Sequence, residues 1–437
     1  MSRNLACAHS SLSSAPSTHA DRIGYQRPSL QQRATAAGKK KNESLKPDDS
    51  FPAPLVLPGD DLALDPNAPP QSLLSWVREK ARNKVTPERN VLYIAGLPKA
   101  AANVPCFRRW SVPQGKENVE RAYLTQPAVE DVMSYLAAFY HDMSVKLLPP
   151  NNLHFAKWDN RRRSGFIALN TPSESIGIRI RTSPDNLFQH QLNLDDLLDT
   201  AISILPEDAY ALLMLVEHDL FEDDDDDFCV GRAYGGSRVA VVSMARYNPN
   251  LDGRQNVERQ HAWPASHCEG YMRACCGEPQ TMMNASDLGA YESPLQAAVT
   301  AHTSLLHQTP PGLLSATWLS RVCQTASHEL GHCFGIDHCV YYACVMQSTA
   351  SLAEDVRQPP YLCPVDLAKV LRATGVGERE RYAALRGFCE GKGGWGFVAL
   401  GAWIGGRVAE MDGPDNAVQG NSSSAAKMGS EDMPIEI

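Results

Sequence analysis

Four side chains in the second half of the chain have the types and spacing for metal-assisted hydrolysis. His328, Glu329, His332 and His338 occur in the run HELGHCFGIDH, with Gly335 between the second and third histidines. On a helix, positions i and i+4 lie one turn apart on one face, so His328 and His332 present two imidazoles at a separation suited to one zinc ion. Gly335 lets the chain leave the helix sharply, and His338 then returns as a third nitrogen ligand, leaving a fourth position for water. Glu329 is carried between the first two ligands. H-E-x-x-H arises by chance roughly 0.02 times in a chain of this composition, and on the order of 10⁻⁴ or less once Gly335 and His338 are required. Three histidines merely satisfied in a core, or a zinc site that binds but does not turn over, are the competing readings. Retention of Glu329 favours catalysis, because a structural site has no use for an uncoordinated carboxylate.

These residues need a helix and a sheet to hold them. Leu313 to Phe334 reads as one helix, set off by Pro310 and Pro311 and stopped at Gly335. Val91 to Leu97 and Ala211 to Phe221 have the apolar character of buried strands, Ile176 to Thr182 alternates as a half-buried one, and Arg238 to Tyr247 is strand-like. Residues 127–142 and 194–205 show helical spacing. The fold class is therefore α/β or α+β with a mixed sheet. Residues 248–312 show no sustained periodicity and read as an inserted, partly mobile loop. Glu222 to Asp227 is an unbroken acidic run, read as a solvated loop because consecutive aspartates lack the alternate spacing of a calcium loop.

HELGHCFGIDH followed at once by Cys339, then Cys344 and Met346, resembles the archaemetzincins, a branch of the metzincin zinc peptidases, in which cysteine follows the third histidine. The resemblance continues through CPVDLAKVLRATGVGERERYAAL, residues 363–385, and spans roughly residues 165 to 390. It implies a metzincin-like zinc peptidase domain with an active-site helix and a smaller zinc-stabilised C-terminal subdomain. His328, His332 and His338 match the catalytic zinc ligands, and Glu329 matches the base that activates the zinc-bound water. Met346 matches the methionine packed below the metal, and the strand from Arg238 to Ala245 would be the edge strand that pairs with an extended peptide. Two residues after Met346, where some relatives carry a tyrosine that assists the oxyanion, this chain has Ser348; Tyr341 and Tyr342 lie nearby without an assigned role.

The same resemblance implies a second, structural zinc held by four cysteines. Cys339, Cys344 and Cys363 match three of them, but the expected C-x-x-C reads Cys363-Pro364-Val365-Asp366. Asp366 as the fourth ligand, another group such as Cys389, or a labile or absent second metal all stay open at this point. His261, His267, Cys268, Cys275 and Cys276 lie close together at spacings that match no standard zinc pattern, and Cys333 reads as buried core.

Composition bounds the rest. The chain has 437 residues, 50 acidic and 41 basic, with Glu222 to Asp227 supplying six of the acidic charges. No basic face suggests nucleic acid, and no run approaches the roughly 18 apolar residues of a membrane helix. Residues 1–85 read as a disordered, low-complexity region, 86–411 as the catalytic domain (upper part about 86–335, lower zinc-binding part about 336–400) and 412–437 as a disordered tail. The first residues lack a secretory apolar core. The Ser/Arg/Ala character up to Ala37 leaves a mitochondrial address open; otherwise the protein reads as intracellular, cytoplasmic or nuclear, with its twelve cysteines as thiols and metal ligands. The expected activity is zinc-dependent hydrolysis of a peptide or small protein, as an endopeptidase or aminopeptidase. A zinc-stabilised binding module is the alternative.

Overall fold

The structure, a computed structural model, describes residues 7, 9, 11–39, 50–115, 124–149, 153–159, 165–279, 293–306, 308 and 310–413. Eleven strands occur among them: β1 (Val91–Ala95), β2 (Lys99–Ala100), β3 (Ser144–Leu147), β4 (His154–Lys157), β5 (Phe166–Asn170), β6 (Ser175–Thr182), β7 (His190–Asn193), β8 (Ala209–Val216), β9 (Leu220–Phe221), β10 (Gly231–Tyr234) and β11 (Val239–Ser243). They build a five-stranded sheet in the order β10-β11-β8-β1-β3 and a six-stranded sheet in the order β2-β4-β5-β6-β7-β9. In the first, β11, β8, β1 and β3 run parallel and only β10 is antiparallel. β8 is buried along all eight residues, which explains why it reads as a continuous apolar run rather than an alternating one.

Pleating sends alternate side chains of this sheet into two cores. Ala211, Leu213, Leu215, Ala240 and Val242 face the helix Pro311–Cys333 and share one core with the helices Val129–Phe139, Glu378–Glu390 and Trp395–Asp412. Leu212, Met214, Val216, Val239 and Val241 face the helix Leu194–Ser203 and the second sheet. The first core runs from Ala36 to Ile404 without a break at residue 335, so the upper and lower parts distinguished in the sequence share one core.

The helix Pro311–Cys333 is 23 residues long, and Pro311 sits in its first turn, where a missing N–H costs nothing. Its buried stripe includes Trp318, Val322, Ala326, Leu330 and Cys333. Cys333, fully buried, is core as expected.

Three expectations give way. The strand from Arg238 to Ala245 is not an edge: β11 is paired on both sides, and the edge is β10, a four-residue strand too short to register as periodic. The 248–312 stretch is not a loose loop over its described residues. Short 3-10 turns at Pro249–Arg254, Arg259–His261 and Ala265–His267 and helices at Glu269–Cys275 and Pro294–Thr303 bury Leu251, Trp263, Tyr271 and Leu295. Three-residue turns have no room to display a period. Residues 280–292, 307 and 309 of that stretch lie outside the described residues.

Within residues 1–85, the described segments pack on the body instead of standing clear of it. Phe51 is fully buried among Tyr342, Tyr361 and Trp403, Trp76 donates from Nε1 to Phe334 O at 2.9 Å, and Tyr25 donates to Val340 O at 2.9 Å. A polar strap with isolated apolar anchors looks disordered by composition, yet each buried aromatic or leucine contributes about 1.5–3 kcal/mol when a core is there to receive it. The expected 412–437 tail lies, beyond residue 413, outside the described residues.

Candidate active site

The C-terminal end of the helix Pro311–Cys333 brings the three histidines together. His328 and His332 point their Nε2 atoms at each other across 3.0 Å, while their Nδ1 atoms engage Val345 O at 2.7 Å and Ile336 O at 2.8 Å. His338 closes the group, its ring centroid 5.4 Å from that of His328 and 4.8 Å from that of His332. One donor atom from each lies within 4.8 Å of the others. Two nitrogens held by one tetrahedral zinc sit about 3.3 Å apart, so the donor set fits that ion, and the carbonyls on Nδ1 fix the tautomer that leaves Nε2 free to ligate. Burial holds all three imidazoles below their usual pKa, His332 down to about 4, and so in the neutral form that binds metal.

Two glycines make this geometry reachable. Gly335 has φ +73°, a left-handed conformation, and a Cβ there would meet Arg82 Cγ at 2.8 Å. The chain therefore reverses in one residue and returns His338 to the helix end. Gly331, inside the motif, leaves room for Met346: a Cβ would stand 2.8 Å from the Met346 methyl carbon. Met346 is fully buried directly beneath the helix turn between His328 and His332.

Glu329 is 7 % exposed and lines the same cleft of about 1140 Å³ as the three histidines. Burial pushes its carboxyl up to about 8, with the charge of Arg232 on β10 pulling the other way and Asp355 adding to the rise. Opposite the histidines the cleft is walled by β10 and by Glu222, Asp225, Asp226 and Asp227, and below by Val345, Gln347 and Ser348. The acidic run is thus a cleft wall as well as a solvated loop; Arg181 caps its backbone at Asp223 O, Asp226 O and Asp227 O, and Glu222 pairs with Arg232. Ser348 reaches the cleft, but Tyr341 and Tyr342 are buried away from it. The tyrosine that does line it is Tyr247, whose hydroxyl accepts from Thr325 Oγ1 at 2.6 Å. Nothing local in the sequence marks Tyr247 or Arg232, because each reaches the cleft from a different strand end.

A second cluster lies one residue beyond His338. Cys339, Cys344, Cys363 and Asp366 are buried with their donor atoms within 4.8 Å of one another. The Cys339 and Cys363 sulfurs are 3.5 Å apart, and Asp366 Oδ2 is 3.3 Å from Cys344 Sγ and 3.4 Å from Cys363 Sγ. Asp366 occupies the fourth corner because Pro364 starts a helix at Cys363, and three residues on returns the side chain to the same side. Its other oxygen accepts from Lys369 Nζ at 2.8 Å, and Lys369 also reaches Gln71 Oε1 at 2.8 Å. Cys389 is buried elsewhere in the main core and is absent from this group.

Comparison with known proteins agrees with the site. The model of peptidase family M54 matches residues 314–372. Archaemetzincin-2 of Macaca fascicularis is 24% identical over 353 residues, covering 80% of this chain and 78% of the relative, and archaemetzincin-2 of Rattus norvegicus is 25% identical over the same span. The solved archaemetzincin of Methanopyrus kandleri is 17% identical, covering 66% of this chain and 98% of its own, with a TM-score of 0.31. The M54 match lies across the three histidines and Cys339, Cys344 and Cys363, and with the similarity to archaemetzincins over 80% of the chain it makes the protein a zinc metallopeptidase.

Proposed function

We propose that the cleft hydrolyses peptide bonds, with His328, His332 and His338 holding the catalytic zinc and Glu329 as general base. The observation that carries this reading is the convergence of three neutral imidazoles on one point of a cleft that also holds a buried, uncoordinated carboxylate. Zinc in such a site polarises a carbonyl and lowers the pKa of water towards about 7. With zinc bound beside it favouring the charged form, Glu329 would take the proton of the attacking water on its carboxylate and deliver it to the leaving amine. Met346 and Gly331 set the floor that keeps His328 and His332 one turn apart, and Cys339, Cys344, Cys363 and Asp366 hold a second, structural zinc that anchors the loop carrying His338.

The substrate backbone runs along β10. The ladder bond from Ser243 N to Val230 O sets the parity of the β10–β11 pairing, so Arg232 and Tyr234 face β11 while the amides of Gly231 and Ala233 face outward. Those outward groups pair with an extended peptide. Asp225, Asp226 and Asp227 on the same wall favour a substrate with a positive charge, which a free amino end or a basic side chain supplies. An aminopeptidase or a protease for short cationic peptides meets both conditions. Its thiol-rich metal chemistry suits a reducing compartment inside the cell.

The test is a mass-spectrometric digest of an unbiased peptide mixture by zinc-loaded protein beside Glu329→Gln with equal zinc. A fall in cleavage of about 10²–10⁴-fold is expected for a lost general base, and the product ends distinguish exo- from endopeptidase. Equal cleavage by both would remove Glu329 as the base, and no cleavage by either would transfer the cleft to the peptide-binding reading.

A further inference from the structure

A third group of thiols and imidazoles lies outside both clusters, where the N-terminal strap crosses the turns at residues 259–268. The strap meets them at one isolated antiparallel bridge: Ser13 N donates to His267 O at 2.9 Å, Glu269 N donates to Ser11 O at 3.0 Å, and Leu12 pairs with Cys268. Cys7 and His9 come to Cys268 at the head of the strap, where the backbone at His9 is left-handed with φ +49°. Cys7 Sγ is 2.7 Å from Cys268 Sγ, and Cys7, His9 and Cys268 each offer a donor atom within 4.8 Å of the other two. His261 stands beside them, its ring centroid 5.2 Å from that of His9.

The hydrogen bonding of the two imidazoles decides what this group is for. His9 is 5% exposed and His261 1% exposed, and neither nitrogen of His9 nor Nε2 of His261 has a hydrogen-bond partner. Buried imidazoles without partners are costly. A disulfide between Cys7 and Cys268 would leave all three nitrogens unsatisfied, whereas a cation bound at the centre of the group satisfies an imidazole nitrogen from each ring and the charge of both thiolates at once. The remaining nitrogen of His261, Nδ1, lies 3.2 Å from Glu258 Oε1 without a hydrogen bond formed, a carboxylate placed to support the ring once it turns onto a metal. Two sulfurs and two imidazoles are a donor set that selects tetrahedral zinc.

We propose that Cys7, His9, Cys268 and His261 form a third zinc site, which clamps the N-terminal strap onto the segment 259–276. None of the four residues lines the catalytic cleft. The site adds a cross-link to the hydrogen bonds that hold the strap, such as Ala53 N to Ser14 O and Ser17 N to Leu55 O, and it accounts for Cys268 and His261 among the clustered residues of this segment. His267 is excluded, because its Nε2 is already committed to Ala53 O at 3.2 Å and its Nδ1 to Ser266 Oγ at 3.2 Å.

The experiment is metal analysis of the full chain by inductively coupled plasma mass spectrometry, with intact-mass measurement under non-reducing conditions. Wild type, Cys268→Ser, His9→Gln and Cys275→Ser are compared after equilibration with zinc and removal of the excess. His9→Gln and Cys268→Ser are each expected to carry one zinc equivalent fewer than wild type, and Cys275→Ser the same number. Circular dichroism identifies a misfolded Cys268→Ser, in which case His9→Gln, altering a ligand on the peripheral strap, decides. Unchanged zinc in His9→Gln overturns the proposal, as does a wild-type mass short by two hydrogens that reports a Cys7–Cys268 disulfide.

Discussion

Asp366 is the residue at which this chain departs from a four-cysteine site, and its neighbour explains how an aspartate can stand there. Lys369 and Asp366 are each 1% exposed, and the lysine takes one carboxylate oxygen while the other faces Cys344 and Cys363. Without metal, burial pushes the Asp366 carboxyl up to about 7, the charge of Cys339 adding to the rise and Lys369 opposing it. A thiol at 366 would bind zinc more tightly but would strand a buried ammonium with Gln71 as its remaining partner. Asp366→Cys is therefore expected to lower stability by about 3 kcal/mol, and Asp366→Cys with Lys369→Leu to recover it while resisting chelators at least as well as wild type. Thermal unfolding and zinc retention against EDTA read both. A single variant as stable as wild type would show that Lys369 does not depend on the carboxylate.

At the scale of the element, β10 does two things with four residues. It closes the edge of the parallel sheet through β11, and it turns Gly231 and Ala233 outward along the cleft. Ala233→Pro removes one outward N–H without breaking a ladder bond to β11, and an edge strand tolerates proline where its N–H faces away from the sheet. The expected result is a rise in KM of about fivefold, the worth of one hydrogen bond, with kcat for a bound peptide near wild type. Steady-state kinetics on a single fluorogenic peptide measures this. A loss confined to kcat would mean that β10 does not carry the substrate backbone.

For the molecule as a whole, buried histidines set the acid limit of stability. His218 is 1% exposed between Phe107 and Phe155, and burial lowers its pKa to about 4; His267 and His302 are lowered to the same value for the same reason. Between pH 6.5 and 4 the unfolded chain takes up a proton that folded His218 refuses, so the stability is complete above 6.5 and is lost as pH falls toward 4. Moving from pH 7.5 to pH 5.0 should cost about 2 kcal/mol through this one residue. His218→Leu should remove that share of the loss, read as a smaller difference between urea midpoints at the two pH values. An unchanged difference would exclude His218 as the sensor.

The catalytic motif was legible in the sequence because helical geometry is local: once His328 and His332 are four apart, one face and one separation follow, and Gly335 supplies the reversal that brings back His338. The helix Pro311–Cys333 and the strands β1, β6, β8 and β11 were legible for the same reason, through proline punctuation, β-branched runs and the two periods of the backbone. What only the tertiary structure decided is everything that depends on distant segments meeting. β11 became an inner strand because four residues at 231–234 fold back along it. The acidic run became a cleft wall because β10 follows it. Residues 50–57, short, proline-interrupted and aperiodic, became part of the core because Tyr342, Tyr361 and Trp403 left a socket for Phe51. Cys7 and His9 acquired partners more than 250 residues away. Periodicity reports what a segment does with its own neighbours along the chain; it carries no information about a contact whose two sides lie far apart in sequence.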